Sequence, residues 1–240
     1  MQRLILCLLL LFAPASTATQ ASAALRDQDN PTCPPVQQMS FTSFERMSFR
    51  LEEHGGQKIL VADGGVDADA AANFRAAVKR HPLIDEIWIR SPGGDARQGN
   101  ALGRAVRETG IPTRVPTGWW CISACNFMFL GGQIRTIEEG GVFAVHMFTR
   151  VNNPDYRRRI ESQRRAGRAA TMLRELALRE QDAALLASED NDFLIRMGIS
   201  RKLLTEVMYQ QQAAALDAND TSTIRCLTRE EMVRYNVVNG

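Results

Sequence analysis

Apolar positions recur along this chain with two periods. The segment KILVADGGV (58–66) is a short continuous apolar run closed by a glycine turn, which predicts a buried strand. Asp67 can cap the helix expected next, where Ala70, Phe74, Ala77 and Val78 repeat at helical spacing. EIWIRSPGGD (86–95) is a second apolar strand running into a glycine turn. ARQGNALGRAVRETG (96–110) reads as a helix with Leu102 and Val106 on one face and Gly110 as its stop. IPTRVPTG (111–118) is a short extended piece, SACNFMFLGG (123–132) an apolar helix, and GVFAVHMF (141–148) a third clear strand. Strands alternating with helices argue for an α/β fold of parallel units, with ligands held where strands end and helices begin.

Beyond Asn152 the pattern changes. Residues 155–198 are nearly all helix formers and dense in arginine, with Arg157, Arg158, Arg159, Arg164, Arg165 and Arg168 close together. One reading is a basic patch for an acidic lipid or polymer. The favoured reading is a solvated helix face laced with acidic partners such as Glu161 and Glu175. A long charged helix of this kind could also mediate oligomerisation. SRKLLTEVMYQ (200–210) predicts an amphipathic helix capped by Ser200. LTREEMVRYNVV (227–238) predicts a short helix capped by Thr228 and then a strand.

The first residues fit neither period. One arginine precedes an apolar run from Leu4 to Phe12, and Ala21 and Ala23 follow in A-x-A spacing. This predicts a secretory signal peptide over 1–23, an uncleaved anchor being the alternative. The run is shorter than the about 20 residues a bilayer span needs. Polar residues 24–48, including NPTCPP, read as an extension, drawn here as 24–57. The domain is then 58–240, with 151–210 as an arginine-rich helical segment within it. About 215 residues remain after cleavage, enough for one sizeable core.

Charge and cysteine usage narrow the function. The formal net charge of +2 falls to +1 without Arg3, which argues against a nucleic-acid partner. Export to the periplasm or medium puts Cys33, Cys121, Cys125 and Cys226 in an oxidising compartment, where four cysteines allow three full pairings. Cys121 and Cys125 can pair only if Cys121 sits in the turn before the helix, because helical i,i+4 Cβ atoms stand too far apart. No C-x-x-C or His/Cys cluster suggests a metal, and no cofactor is expected.

A serine hydrolase needs a hydroxyl near a base, with backbone N–H groups aimed at the developing oxyanion. A glycine turn and a helix N-terminus supply such groups. The chain offers SPGG (91–94) and then Ser123 opening an apolar helix, so Gly94 and Ala124 are the candidate donors. Of His54, His81 and His146, only His146 lies on the strand after that helix, 23 residues beyond Ser123.

Together, SPGGDARQGNALGRAVRETGIPTRVPTGWWCISACNFMFLGG and VFAVHMF resemble the Clp protease catalytic subunit, within the Clp/crotonase superfamily. The likeness covers residues 58–150 well and 224–238 moderately. It implies a repeated β-β-α superhelix with a mostly parallel sheet and a helical C-terminal part. It also implies Ser123 as nucleophile, His146 as general base and Gly94 with Ala124 as oxyanion hole. Ser91, Pro92, Gly93 and Asp95 would then line an extended substrate by strand addition. Where the resemblance places an aspartate this chain has Ile224; Asp217 and Asp220 stand upstream, and Asp220 is taken as the third group. The implied activity is that of an exported, oligomeric serine peptidase acting on a peptide or protein. The rival is an inactive Clp-like domain that binds peptides or assembles on a partner. A serine–lysine dyad is disfavoured, since Lys58, Lys79 and Lys202 all lie far from the motif.

Overall fold

The computed structural model describes Cys33 and residues 46–149, 154–214 and 223–240. Residues Ile59–Asp63 are all buried, so the run that reads as apolar becomes a central strand, β2 (Gln57–Asp63). It pairs in parallel with β3 (Glu86–Arg90), which pairs in parallel with β4 (Thr113–Val115), and that with β6 (Arg135–Ile137). β1 (Ser48–His54) closes the opposite edge, antiparallel to β2. A second sheet holds β5 (Trp120–Ile122), β7 (Val142–His146) and β8 (Ile224–Cys226), with β5 and β7 parallel and β8 antiparallel. The result is the expected mixed α/β fold with a mostly parallel sheet.

Short bridges tie the glycine turns to the second layer. Ser91 N donates to Trp120 O, and Ile122 N donates to Ser91 O. Val66 N donates to Gly93 O, and Asp95 N donates to Val66 O. Each unit therefore runs from the first sheet into the second layer and then into a helix. The helices are α1 (Ala70–Arg80), α2 (Ala96–Thr109) and α3 (Ala124–Gly131). In α1, Ala70, Phe74 and Ala77 are buried, and Phe74 meets Phe49 of β1 edge-on at 5.6 Å. In α2, Leu102 and Val106 are buried, and Gly110 ends the helix at φ 70°.

α2 and α3 cross with almost no side chain between them. A Cβ on Gly99 would sit 2.5 Å from Ala124 O, and one on Gly103 would collide with Phe127 O. Glycine at these positions lets α3 lie directly on α2, which fixes where α3 begins.

Beyond α4 (Pro154–Arg165), the long helix α5 (Ala169–Met197) docks its C-terminal half on α2. Phe193 packs against Phe127 at 5.2 Å, and Arg104 pairs with Asp192. The arginine-rich stretch carries acidic partners: Arg159 and Arg179 meet Glu175, and Arg158 pairs with Asp155. Among the described residues, no helix is long and apolar enough to cross a membrane.

Four local expectations are revised. The residue before α1 is Asp69, not Asp67; the Asp67 carboxylate accepts from Asp69 N and Met47 N, closing a turn against the start of the sheet. Residues 200–210 form no α-helix: Leu203–Val207 is a π-helical turn and Met208–Gln210 a 3-10 turn, with Leu203, Leu204 and Val207 buried. Thr228 caps α6 (Arg229–Arg234) through a reciprocal capping box with Glu231, as the sequence predicts. No strand follows it, because the carbonyls of Asn236 and Val237 accept from the buried Arg135 guanidinium instead of a neighbouring strand. The fourth revision is β1, which lies within the expected 24–57 extension; its SFRLEEH sequence lacks an apolar run.

Candidate active site

Ser123 sits between β5 and α3 with φ 60° and ψ −125°. Positive φ on a residue with a Cβ is strained and persists only where surroundings hold it. Three bonds do so here. Ser123 N donates to Ala144 O, Asn126 N donates to Ser123 O, and a disulfide joins Cys121 to Cys125 across the turn. Cys121 is the middle residue of β5, in the strand rather than in the turn as expected, so the pair brackets the serine from strand to helix. The other disulfide joins Cys33 to Cys226 on β8.

Gly93 packs against the same turn. A Cβ there would lie 2.7 Å from Ser123 Cβ and 2.5 Å from Ile122 O, and φ is 89°. Of the SPGGD residues, Ser91 is fully buried with both backbone groups bonded to β5, and its hydroxyl accepts from Gly93 N. Pro92 is half-buried. The Asp95 carboxylate accepts from Gln98 N as the cap of α2. Gly94 differs: it is exposed, and among the described residues its amide donates no hydrogen bond. The Ala124 amide, at the first position of α3, is likewise uncommitted.

These groups converge on one cavity of about 130 Å³, lined by Gly94, Ser123, Ala124 and His146 and otherwise mostly apolar. His146 ends β7. Its Nδ1 lies 2.8 Å from Met147 O. A carbonyl can only accept, so Nδ1 carries a proton; in the neutral imidazole this leaves the lone pair on Nε2, the form a general base needs. Among the described residues no hydrogen bond joins His146 to Ser123. Ile224 lies opposite His146 in the β7–β8 ladder and packs with Trp120, Ile122, Val142, Ala144 and Cys226. Asp217 and Asp220 lie outside the described residues.

The sequence reading missed two polar groups of this cavity. Asn126, one turn into α3, is buried with its Nδ2 donating to Ala144 O and its Oδ1 unpartnered. Asp190 of α5 is 5% exposed, accepts from Asn100 Nδ2 at 2.7 Å, and is pushed up to about 6 by desolvation. The available signal was an aspartate midway between Leu186 and Leu194 in an apolar stripe of period four.

No family model matches the sequence, and no curated protein matches it. Solved structures do resemble it. A point mutant of ClpP1 from Listeria monocytogenes aligns over 75% of this chain and 88% of its own, at 14% identity and TM-score 0.47. A variant of the 1510-N membrane-bound stomatin-specific protease aligns over 75% of each chain, at 13% identity and TM-score 0.44. A putative enoyl-CoA hydratase from Streptomyces coelicolor aligns over 40% of this chain and 47% of its own, at 16% identity and TM-score 0.28. At such distances the chemistry of the site is argued from its own geometry.

Proposed function

We propose that this chain is an exported serine peptidase of Clp-like type. The observation that carries the reading is the shared cavity: a strained serine, a histidine in the basic tautomer and two unused backbone amides line one space. Ser123 Oγ attacks the substrate carbonyl while His146 Nε2 takes its proton. The amides of Gly94 and Ala124 donate to the oxyanion. His146 then protonates the leaving amine, and water hydrolyses the acyl-enzyme by the same route. Rotation of the Ser123 hydroxyl or of the His146 ring on substrate binding would close the pair, since such bonds tighten in the Michaelis complex.

The group facing Nδ1 is a backbone carbonyl, Met147 O, and Asp220 is proposed as the acidic third member. The substrate is a peptide or protein, presented to Gly94 rather than to the whole SPGGD turn, whose other backbone groups are largely used internally. Two disulfides support an oxidising compartment. Self-assembly into an oligomer is part of the proposal.

A fluorophosphonate probe tests the chemistry. Labelling of purified, oxidised protein that vanishes in Ser123→Ala and falls sharply in His146→Ala is expected. Absence of labelling in every oligomeric state favours the second reading, a peptide-binding or assembly module. That reading draws on Ile224, which offers no charge to a protonated His146.

A further inference from the structure

Resting on the hydrolase reading above, we propose that Asp190 selects the substrate: the cavity beside Ser123 takes a cationic side chain, lysine or arginine, on the acyl side of the cleaved bond.

Leu186, Asp190 and Leu194 stand four residues apart on α5 and line the same cavity as Ser123 and His146. Both leucines are buried, so this is the core-facing stripe of the helix with one carboxylate set into it. An apolar residue there would pack better unless the charge has a use, because a buried carboxylate without a cation is costly. Among the described residues no lysine or arginine pairs with Asp190. Asn100 donates to its Oδ1, and among the described residues Oδ2 accepts no hydrogen bond.

Asn126 adds a second, independent signal. It lines the cavity from α3, is 6% exposed, and its Oδ1 has no partner. Apart from the Gly94 and Ala124 amides assigned to the oxyanion, the buried side-chain groups left open in this cavity, on Asp190 and Asn126, are acceptors. A ligand completing them must bring donors. The rest of the wall is apolar, including Phe127, Leu130 and Met208. A long aliphatic stem ending in an ammonium or guanidinium matches both properties. The cavity of about 130 Å³ holds one side chain and is too small for a cofactor-sized ligand.

Burial makes the Asp190 charge costly to hold, and an entering cation offsets that cost. Desolvation is the main reason the Asp190 carboxyl is raised to about 6, with Glu189 adding to it. The Tyr209 hydroxyl, pushed up to about 12 by burial and by Asp190, faces the same region as a neutral group. Beyond Glu189, Arg97 is drawn outward to Asp182 and Glu189.

The test compares Nα-blocked lysine and norleucine p-nitrophenyl esters, which match in stem and differ in charge. At pH 8 kcat/KM should favour lysine by roughly tenfold or more, and Asp190→Asn should bring that ratio toward one. Equal or better norleucine turnover by the wild type would overturn the inference and leave the hydrolase reading standing. A second measurement needs no catalysis. Butylammonium, but not butanol, should raise the Tm of Ser123→Ala, and the rise should be lost in Ser123→Ala/Asp190→Asn. Butylammonium binding without any ester turnover would retain the cation pocket and sink the hydrolase. An equal effect of amine and alcohol on both variants would mark Asp190 as a structural carboxylate only, against the inference.

Discussion

Ile224 stands directly across the β7–β8 ladder from His146. Opposed residues of an antiparallel pair share a face, with Cβ atoms about 4.5–5.5 Å apart. A carboxylate at 224 would therefore reach the imidazole and stabilise its protonated form as the serine is deprotonated. Ile224→Asp is expected to raise the fluorophosphonate labelling rate by roughly tenfold, at a modest loss of stability from its apolar neighbours. An unchanged rate in a folded variant would mean the imidazole is already adequately oriented by Met147 O, or by Asp220. Asp220→Asn in the wild-type background separates those two, since only the second predicts a loss.

Gly93 governs the shape of the serine turn. Gly93→Ala places a methyl against Ser123 Cβ and Ile122 O at a φ that disfavours any side chain. Labelling should disappear, and stability should fall by about 2–4 kcal/mol in urea titration. Gly56→Ala is the control. It has positive φ but open space, so it should cost about 1 kcal/mol and leave labelling intact.

Asp190 makes stability depend on pH. Its folded-state carboxyl is raised from 3.8 to about 6, so the native state holds the proton more tightly than the unfolded chain. This contribution is complete below about pH 4 and is lost as pH rises through about 6. The change is worth on the order of 3 kcal/mol. Asp190→Asn should raise Tm by several degrees at pH 8, and the gain should vanish near pH 4. A gain of equal size at both values would show that the effect is packing rather than titration.

Arg135 is the buried fastener of the C-terminal segment. Its guanidinium, 1% exposed and lowered to about 10 by desolvation, donates to the carbonyls of Gly132, Asn236 and Val237. Arg135→Met fills the space but leaves those acceptors unpaired, so a loss of about 3 kcal/mol is expected from the urea midpoint. Labelling of the folded fraction should be unaffected, since Arg135 touches nothing in the cavity.

Much of this was readable in the sequence, and the limits have physical causes. The strands at β2, β3 and β7 announced themselves because most of their residues are buried, and Gly110 and Thr228 because helix ends have their own chemistry. β1 did not, since its glutamates face solvent and its order comes from pairing with β2. β6 was hidden by Arg135, a charge whose burial depends largely on carbonyls about a hundred residues away in sequence. Ser123 was picked out by its spacing to Gly94 and His146, but not its backbone strain. Asp190 was absorbed into the charged character of the long helix, because only the packing of α5 on α2 turns that residue inward. Ser91 and Asp95, read as groups for a substrate, also hold the turn around Gly94 through their side chains.

The Cys121–Cys125 bond makes the segment around Ser123 a closed covalent ring of five residues, with the serine at its centre. A freshly made chain in a reducing cell interior lacks that ring, and its serine turn is then held by backbone hydrogen bonds alone. The ring closes only after the chain meets an oxidant. On the hydrolase reading proposed above, competence would follow closure of the Cys121–Cys125 bond.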